Sequence, residues 1–234
     1  MSNSNEIFEE IIEGDTKLIV PKKSLTEKVP PIKPAFFNPK ARTNRDFSII
    51  AYAAFLKKFD GPKIFLEALS GVGARGLRVA NELKIDTVNI NDLNPTALKI
   101  AKESATLNNL KNIEFSEKEA CVFLNGYSRK GNRGSLVDID PFGSPAAFFD
   151  CGIRATIHGG ILYFFRCLRS MNNMPAKYNP IIGPATSIIV TPVPSGVMTA
   201  PKIIMITIAY LAFFLQKSLS TISDIDIAYI TSGS

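Results

Sequence analysis

Residues 63–83 read KIFLEALSGVGARGLRVANEL, and the change of texture along them decides the fold. Lys63 to Leu69 is a short apolar run of strand length. A glycine cluster, Ser70 to Gly76, follows directly, and helical spacing resumes through Leu77, Val79, Ala80 and Leu83. Strand, glycine turn and helix in this order open a βαβ unit, with Gly71, Gly73 and Gly76 on the spacing G-x-G-x-x-G. Glycine lets such a loop turn tightly and brings its backbone close to a nucleotide-like ligand.

The alternation continues outward from this unit. Thr87 to Ile90 predicts a second strand, ending at Asn91-Asp92. Asn94-Pro95 is an N-cap and first-turn pair for a helix through Ala97, Ile100, Ala101 and Ala105. Ile113 to Phe115 and Ser135 to Ile139 predict a third and a fourth strand. Strands buried on both faces and separated by helices imply a doubly wound parallel sheet of the α/β class. Upstream, Phe47, Ile50, Ala51, Ala54 and Phe55 predict a helix from Asp46 that stops at Gly61-Pro62. Residues 1–46 read as a separate N-terminal segment, with a short strand at Thr16 to Val20 and Pro30, Pro31 and Pro34 preventing a helix through the middle. Residues 47–165 form the expected core. The tail, 166–234, holds seven charged side chains and six prolines without a clear period, so it reads as a different kind of sequence, and the expectation is a sheet incomplete in its C-terminal half.

Bulk properties exclude some classes. A formal charge of +6 suits a polyanionic partner without requiring one. Lys22, Lys23, Lys28, Lys33, Lys40 and Arg42 could track phosphates, or simply solvate a basic surface. Cys121, Cys151 and Cys167 form no CxxC pair, so neither a zinc site nor a disulfide framework is expected. With His158 the only histidine, and read as a loop residue, metal or triad chemistry has little material. No metal is expected. The first 15 residues lack a secretory pattern and the run Ile203 to Leu215 is short for a bilayer span, so a cytoplasmic location and no membrane partner are expected.

Asp92 lies 21 residues after Gly71, at the end of the next strand, where a carboxylate can accept bonds from ribose hydroxyls. Nicotinamide dinucleotides and S-adenosyl-L-methionine both suit this geometry, and the fourth strand separates them. It ends Asp138-Ile139-Asp140-Pro141-Phe142-Gly143. An acid-Pro-aromatic turn there suits amino methyl transfer. The Asp140 carboxylate can orient the hydrogens of an acceptor amine, Pro141 stiffens the turn, and Phe142 offers a face to a planar base. The expected fold is therefore a Rossmann-like class I S-adenosylmethionine-dependent methyltransferase.

Phe36-Phe37-Asn38-Pro39, Asn44-Arg45-Asp46, the stretch Ala68 to Arg78, Asn91-Asp92 and Asp140 to Pro145 together resemble the tRNA guanine-N2 dimethyltransferases, over roughly residues 16–162. The resemblance implies methyl transfer to the exocyclic N2 of guanine 26 of tRNA, with S-adenosyl-L-methionine as cofactor. It implies that Arg45, Gly71, Gly73, Arg75, Asp92, Glu119 and Ala120 hold the cofactor, with Arg45 near its carboxylate, Asp92 on the ribose and Glu119-Ala120 beside the adenine. Asp140, with Pro141, would be catalytic, and Phe36 and Phe142 would sandwich the guanine. Glu67 and Glu119 stand where the family usually has Asp, and the sequence from Tyr163 onward departs from it. The alternatives are an inactive RNA- or cofactor-binding remnant, or an amino methyltransferase acting on another RNA or on protein.

Overall fold

A computed structural model describes residues 7–167, 185–190 and 203–207. A two-stranded hairpin, β1 (Phe8–Glu13) and β2 (Thr16–Pro21), leads into a short helix, α1 (Lys22–Thr26), and then into the long helix α2 (Arg42–Lys58). The core alternates β3 (Ile64–Glu67), α3 (Ala74–Glu82), β4 (Thr87–Asn91), α4 (Pro95–Leu107), β5 (Ile113–Ser116), α5 (Ala120–Gly126), β6 (Gly134–Ile139), α6 (Phe149–Ala155) and β7 (Thr156–Cys167). Two further strands, β8 (Ala185–Val190) and β9 (Ile203–Thr207), complete a seven-stranded sheet of order β5-β4-β3-β6-β7-β8-β9.

The five strands from β5 to β7 are parallel, whereas β8 and β9 pair antiparallel. Chain order reverses between β3 and β6, the place where α/β sheets open a crevice at their carboxyl ends. Apart from residues 166–167, β8 and β9, the atypical tail of residues 166–234 lies outside the described residues.

Side chains leave a strand alternately to its two faces, and the core is divided accordingly. Phe65, Leu136, Ile161 and Tyr163 face a layer made by α2, α3, α4 and β2. Their neighbours Leu66, Val137, Leu162 and Phe164 face α5 and α6. Both faces are covered, as near-continuous apolar strands require.

Several expectations are corrected. The acidic start was not expected to form a strand, yet Phe8–Glu13 pairs with the expected strand across a two-residue turn, with Gly14 at φ +61°. Helix α2 starts before Asp46, because Asn38 caps a 3-10 turn over Pro39–Ala41 that runs straight into it. Its buried face carries Arg45, Ser48, Ile49, Tyr52 and Leu56, while Ile50 of the expected apolar stripe is exposed. His158 lies within β7 and not in a loop. Cys121 and Cys151, 30 residues apart, are joined as a disulfide because α5 and α6 pack side by side and bring their Cα atoms to 5.5 Å. Tyr127, just past α5, donates to Asn89 Oδ1 at 2.8 Å and packs on Phe123.

Candidate active site

A cleft of about 730 Å³ opens at the carboxyl ends of β3, β4 and β6. Gly71, Arg75, Asp92, Asp140, Pro141, Phe142, Phe36 and Arg45 all line it. The glycine turn, the second-strand acid and the fourth-strand acid thus meet in one place.

The glycine loop explains part of this convergence. Gly71 sits at φ +54°, and a Cβ there would come within 2.7 Å of the Phe36 carbonyl oxygen. Only glycine lets the N-terminal segment dock so closely, and that docking places Phe36 in the cleft. Gly73 does not line the cleft. It precedes α3 at φ +72°, where a Cβ would press on Ala101 of α4, so its part is the close approach of these two helices.

Asp92 accepts from Gly71 N on one oxygen (2.7 Å) and from Asn94 N on the other (2.8 Å). These bonds fix the carboxylate, and each oxygen keeps a lone pair for a ribose hydroxyl. The neighbouring Asn91, fully buried, ties the strand ends together. Its amide donates to the carbonyls of Ala68 (2.9 Å) and Lys118 (2.8 Å), and its oxygen accepts from Lys118 N (3.1 Å). Glu119 and Ala120 follow that anchored residue but do not line the cleft. Glu119 caps α5 by accepting from Val122 N at 2.9 Å, and Ala120 is buried.

The two arginines differ. Arg45 is bidentate on the buried Glu13, with Nε to Oε1 at 2.6 Å and Nη2 to Oε2 at 2.7 Å, and both terminal nitrogens donate to Asn38 O at 3.2 Å. Those bonds occupy four of its five donors and fasten the hairpin to α2. Arg75 donates from Nη1 to Asp138 (2.5 Å) and from Nη2 to Asn44 Oδ1 (2.7 Å), and reaches Asp140 only at 3.4 Å. Its Nε is buried without a hydrogen-bond partner. An unsatisfied buried donor is costly, so an anionic group that reached this N–H would relieve that cost. Together with the free lone pairs of Asp92, it fits a nucleoside that carries a carboxylate, as S-adenosyl-L-methionine does.

Asp140 keeps 37% of its side chain exposed at the cleft floor. Desolvation raises its pKa above the ordinary carboxylate value; Arg75 and Arg45 oppose that shift and Asp138 adds to it. Such a carboxylate is a stronger proton acceptor than one in open water. Glu67, at the end of β3, is pushed up to about 8 by burial and then by Asp138, against the pull of Arg75. Phe36 and Phe142 touch edge-to-face, with ring centroids 4.6 Å apart and planes at 86°. A base could stack between them only after they part, and Phe142, 71% exposed, is the more open of the two. Asn44, Tyr52, Asn91 and Asp138 carry structural weight here that the sequence reading did not assign. Asn44 and Asn91 stood within quoted motifs, and Asp138 lies near the end of β6, two residues before Asp140.

A model of the N2,N2-dimethylguanosine tRNA methyltransferase family matches residues 14–166. The chain belongs to that family. It is 40% identical over 185 residues to the tRNA (guanine(26)-N(2))-dimethyltransferase of Methanococcus maripaludis strain C6, covering 71% of this chain and 48% of that protein. The corresponding protein of Methanopyrus kandleri is 37% identical over 156 residues, covering 66% and 39%. The chain thus spans about half the length, or less, of these curated relatives. Among solved structures it is similar to Trm1 from Pyrococcus horikoshii in complex with S-adenosyl-L-methionine, with TM-score 0.56 and 28% identity over 68% of this chain and 43% of that one. A methyltransferase from Agrobacterium tumefaciens, TM-score 0.53 and 16% identical over 68% of this chain and 52% of that one, shares the fold. The Rossmann-like methyltransferase fold expected from the sequence is therefore the one observed. No helix among the described residues is long and apolar enough to cross a membrane.

Proposed function

We propose that this chain transfers methyl groups from S-adenosyl-L-methionine to the exocyclic N2 of guanine 26 in tRNA, giving dimethylguanosine after two rounds. Its core is taken as residues 47–165, with residues 1–46 on the substrate side, working in the cytoplasm where tRNA is found. The observation that carries the reading is the meeting of Gly71, Asp92, Arg75 and Asp140 in one cleft walled by Phe36 and Phe142.

The cofactor would supply an electrophilic methyl on a positively charged sulfur. Asp92 would hold the ribose, and Arg75 Nε would meet the carboxylate end. Arg45 lines the same cleft and has one donor left for that end. Glu119 and Ala120, set beside Asp92 through the Asn91–Lys118 bonds, would border the adenine.

The target base must leave its stack, which costs a few kcal/mol and is offset in part by aromatic stacking at about 1–3 kcal/mol per base. Phe36 and Phe142 would provide those faces. The guanine amine is a weak nucleophile because its lone pair is delocalised into the ring. Asp140 would accept a hydrogen bond from N2–H, favouring a localised lone pair, and would take the proton as the N–C bond forms and the C–S bond breaks. Pro141 holds the turn that presents this carboxylate.

The test is transfer of labelled methyl to an unmodified tRNA transcript, compared with the same transcript carrying inosine at position 26, which lacks the N2 amine. Label on the first and none on the second is expected. Equal labelling of both, or none on either by a chain that binds the cofactor, refutes the assignment.

A further inference from the structure

Asp138 is almost completely buried, with 1% of its side chain exposed, yet it is ionisable and stands near the end of β6, two residues before Asp140, which follows the strand. The two carboxylates share one guanidinium. Arg75 lies 2.5 Å from Asp138 and 3.4 Å from Asp140, so the close bond goes to the residue that does not line the cleft. The second oxygen of Asp138 accepts from the Tyr52 hydroxyl at 2.5 Å, and Asn44 Oδ1 accepts from Arg75 Nη2 at 2.7 Å. Asn44 in turn donates to the Tyr163 hydroxyl at 3.0 Å, and the Arg75 guanidinium lies 5.3 Å over the Tyr163 ring. Arg75 is thereby fixed from three sides before Asp140 is considered.

We propose that Asp138 is a positioning residue for the methyl transfer: by taking the short bond from Arg75 it keeps that guanidinium off Asp140 and leaves the Asp140 carboxylate free to receive the acceptor amine. The proposal rests on the function given above. An arginine paired tightly with Asp140 would occupy its oxygens and weaken it as a proton acceptor, since an opposite charge at contact lowers a carboxyl pKa by roughly 1–3 units. The charged groups acting on Asp140 are Arg75 from α3, Asp138 from β6 and Arg45 from α2. Glu67 on β3 also feels its charge, and Tyr52 and Tyr163 lie close enough to act on Arg75. Removal of the Asp138 charge is the change that releases Arg75 toward Asp140.

The variant Asp138→Asn keeps the shape and an oxygen for Arg75 but removes the charge. Tyr52→Phe removes the hydroxyl and leaves the charge in place. Titration of the Asp140 carboxyl by carbon-13 NMR needs no substrate, so it tests the inference even if tRNA proves not to be methylated. The Asp140 midpoint is expected to fall by about one unit or more in Asp138→Asn and to stay near the wild-type value in Tyr52→Phe. In methyl transfer, the acid limb of the kcat profile should move down with it and kcat should drop roughly three- to tenfold, with the S-adenosyl-L-methionine Kd within about twofold of wild type. An unmoved or raised midpoint in Asp138→Asn, or the same shift in both variants, overturns the proposal. Thermal unfolding of each variant confirms that a folded protein is being titrated.

Discussion

Replacing Glu67 by Gln should reverse a pH-dependent cost that the fold carries at neutral pH. The side chain is 4% exposed and accepts from Gly76 N at 3.0 Å, which a glutamine oxygen can also do. Burial first, then Asp138, moves its carboxyl from 4.5 to about 8 in the folded chain, with Arg75 acting in the opposite direction. Between those values the native state holds a proton that the unfolded state has released. The stabilisation from this group is therefore complete below the unfolded pKa, declines by about 1.4 kcal/mol per pH unit, and is lost once pH passes the folded pKa. Glutamine has nothing to titrate. Urea unfolding of both proteins at about pH 5.5 and pH 8.5 isolates the term as a difference of differences. The variant should gain about 3 kcal/mol on wild type between the two conditions. A difference that is the same at both pH values would show that Glu67 is ionised in the native state across this range, and the electrostatic reading of the cleft floor would be wrong.

Asp140→Ala should abolish methyl transfer while leaving S-adenosyl-L-methionine binding intact, whereas Asp92→Ala should weaken cofactor binding about tenfold or more, as measured by calorimetry. Equal losses of affinity in both would deny the division of roles. Gly76→Ala places a Cβ 2.4 Å from Glu67 Oε2 and 2.9 Å from Ile90, and should destabilise by about 1–3 kcal/mol in denaturant; an unchanged midpoint would mean that these two side chains give way. Glu13→Ala leaves the buried guanidiniums of Arg45 and Arg78 without their shared carboxylate, so a loss of about 3–5 kcal/mol is expected, and a loss under about 1 kcal/mol would show that water replaces it.

What could be read beforehand was what local chemistry encodes. The glycine turn, the Asn94-Pro95 cap and the apolar strands each act through their immediate neighbours, and all appear where expected. Asn38-Pro39 repeats the same capping pair, and that signal, applied again, would have found the start of the α2 turn. The buried ionic contacts were not legible because their partners are distant in sequence: Glu13 meets Arg45 and Arg78, and Tyr52 meets Asp138 across 86 residues. Polar residues add nothing to an apolar period, so the stripe Phe47, Ile50, Ala51, Ala54 and Phe55 does not mark the inward face of α2, which carries Arg45, Ser48 and Tyr52 beside Ile49 and Leu56. The Cys121–Cys151 bond likewise follows from the packing of α5 on α6 and not from spacing.

A crystal structure with S-adenosyl-L-homocysteine bound tests the shared cleft most directly. The ribose hydroxyls should lie on Asp92, the carboxylate within reach of Arg75 Nε, and the sulfur on the Asp140 side of the glycine turn. A ligand seated elsewhere, or one whose sulfur faces away from Asp140, would contradict the account.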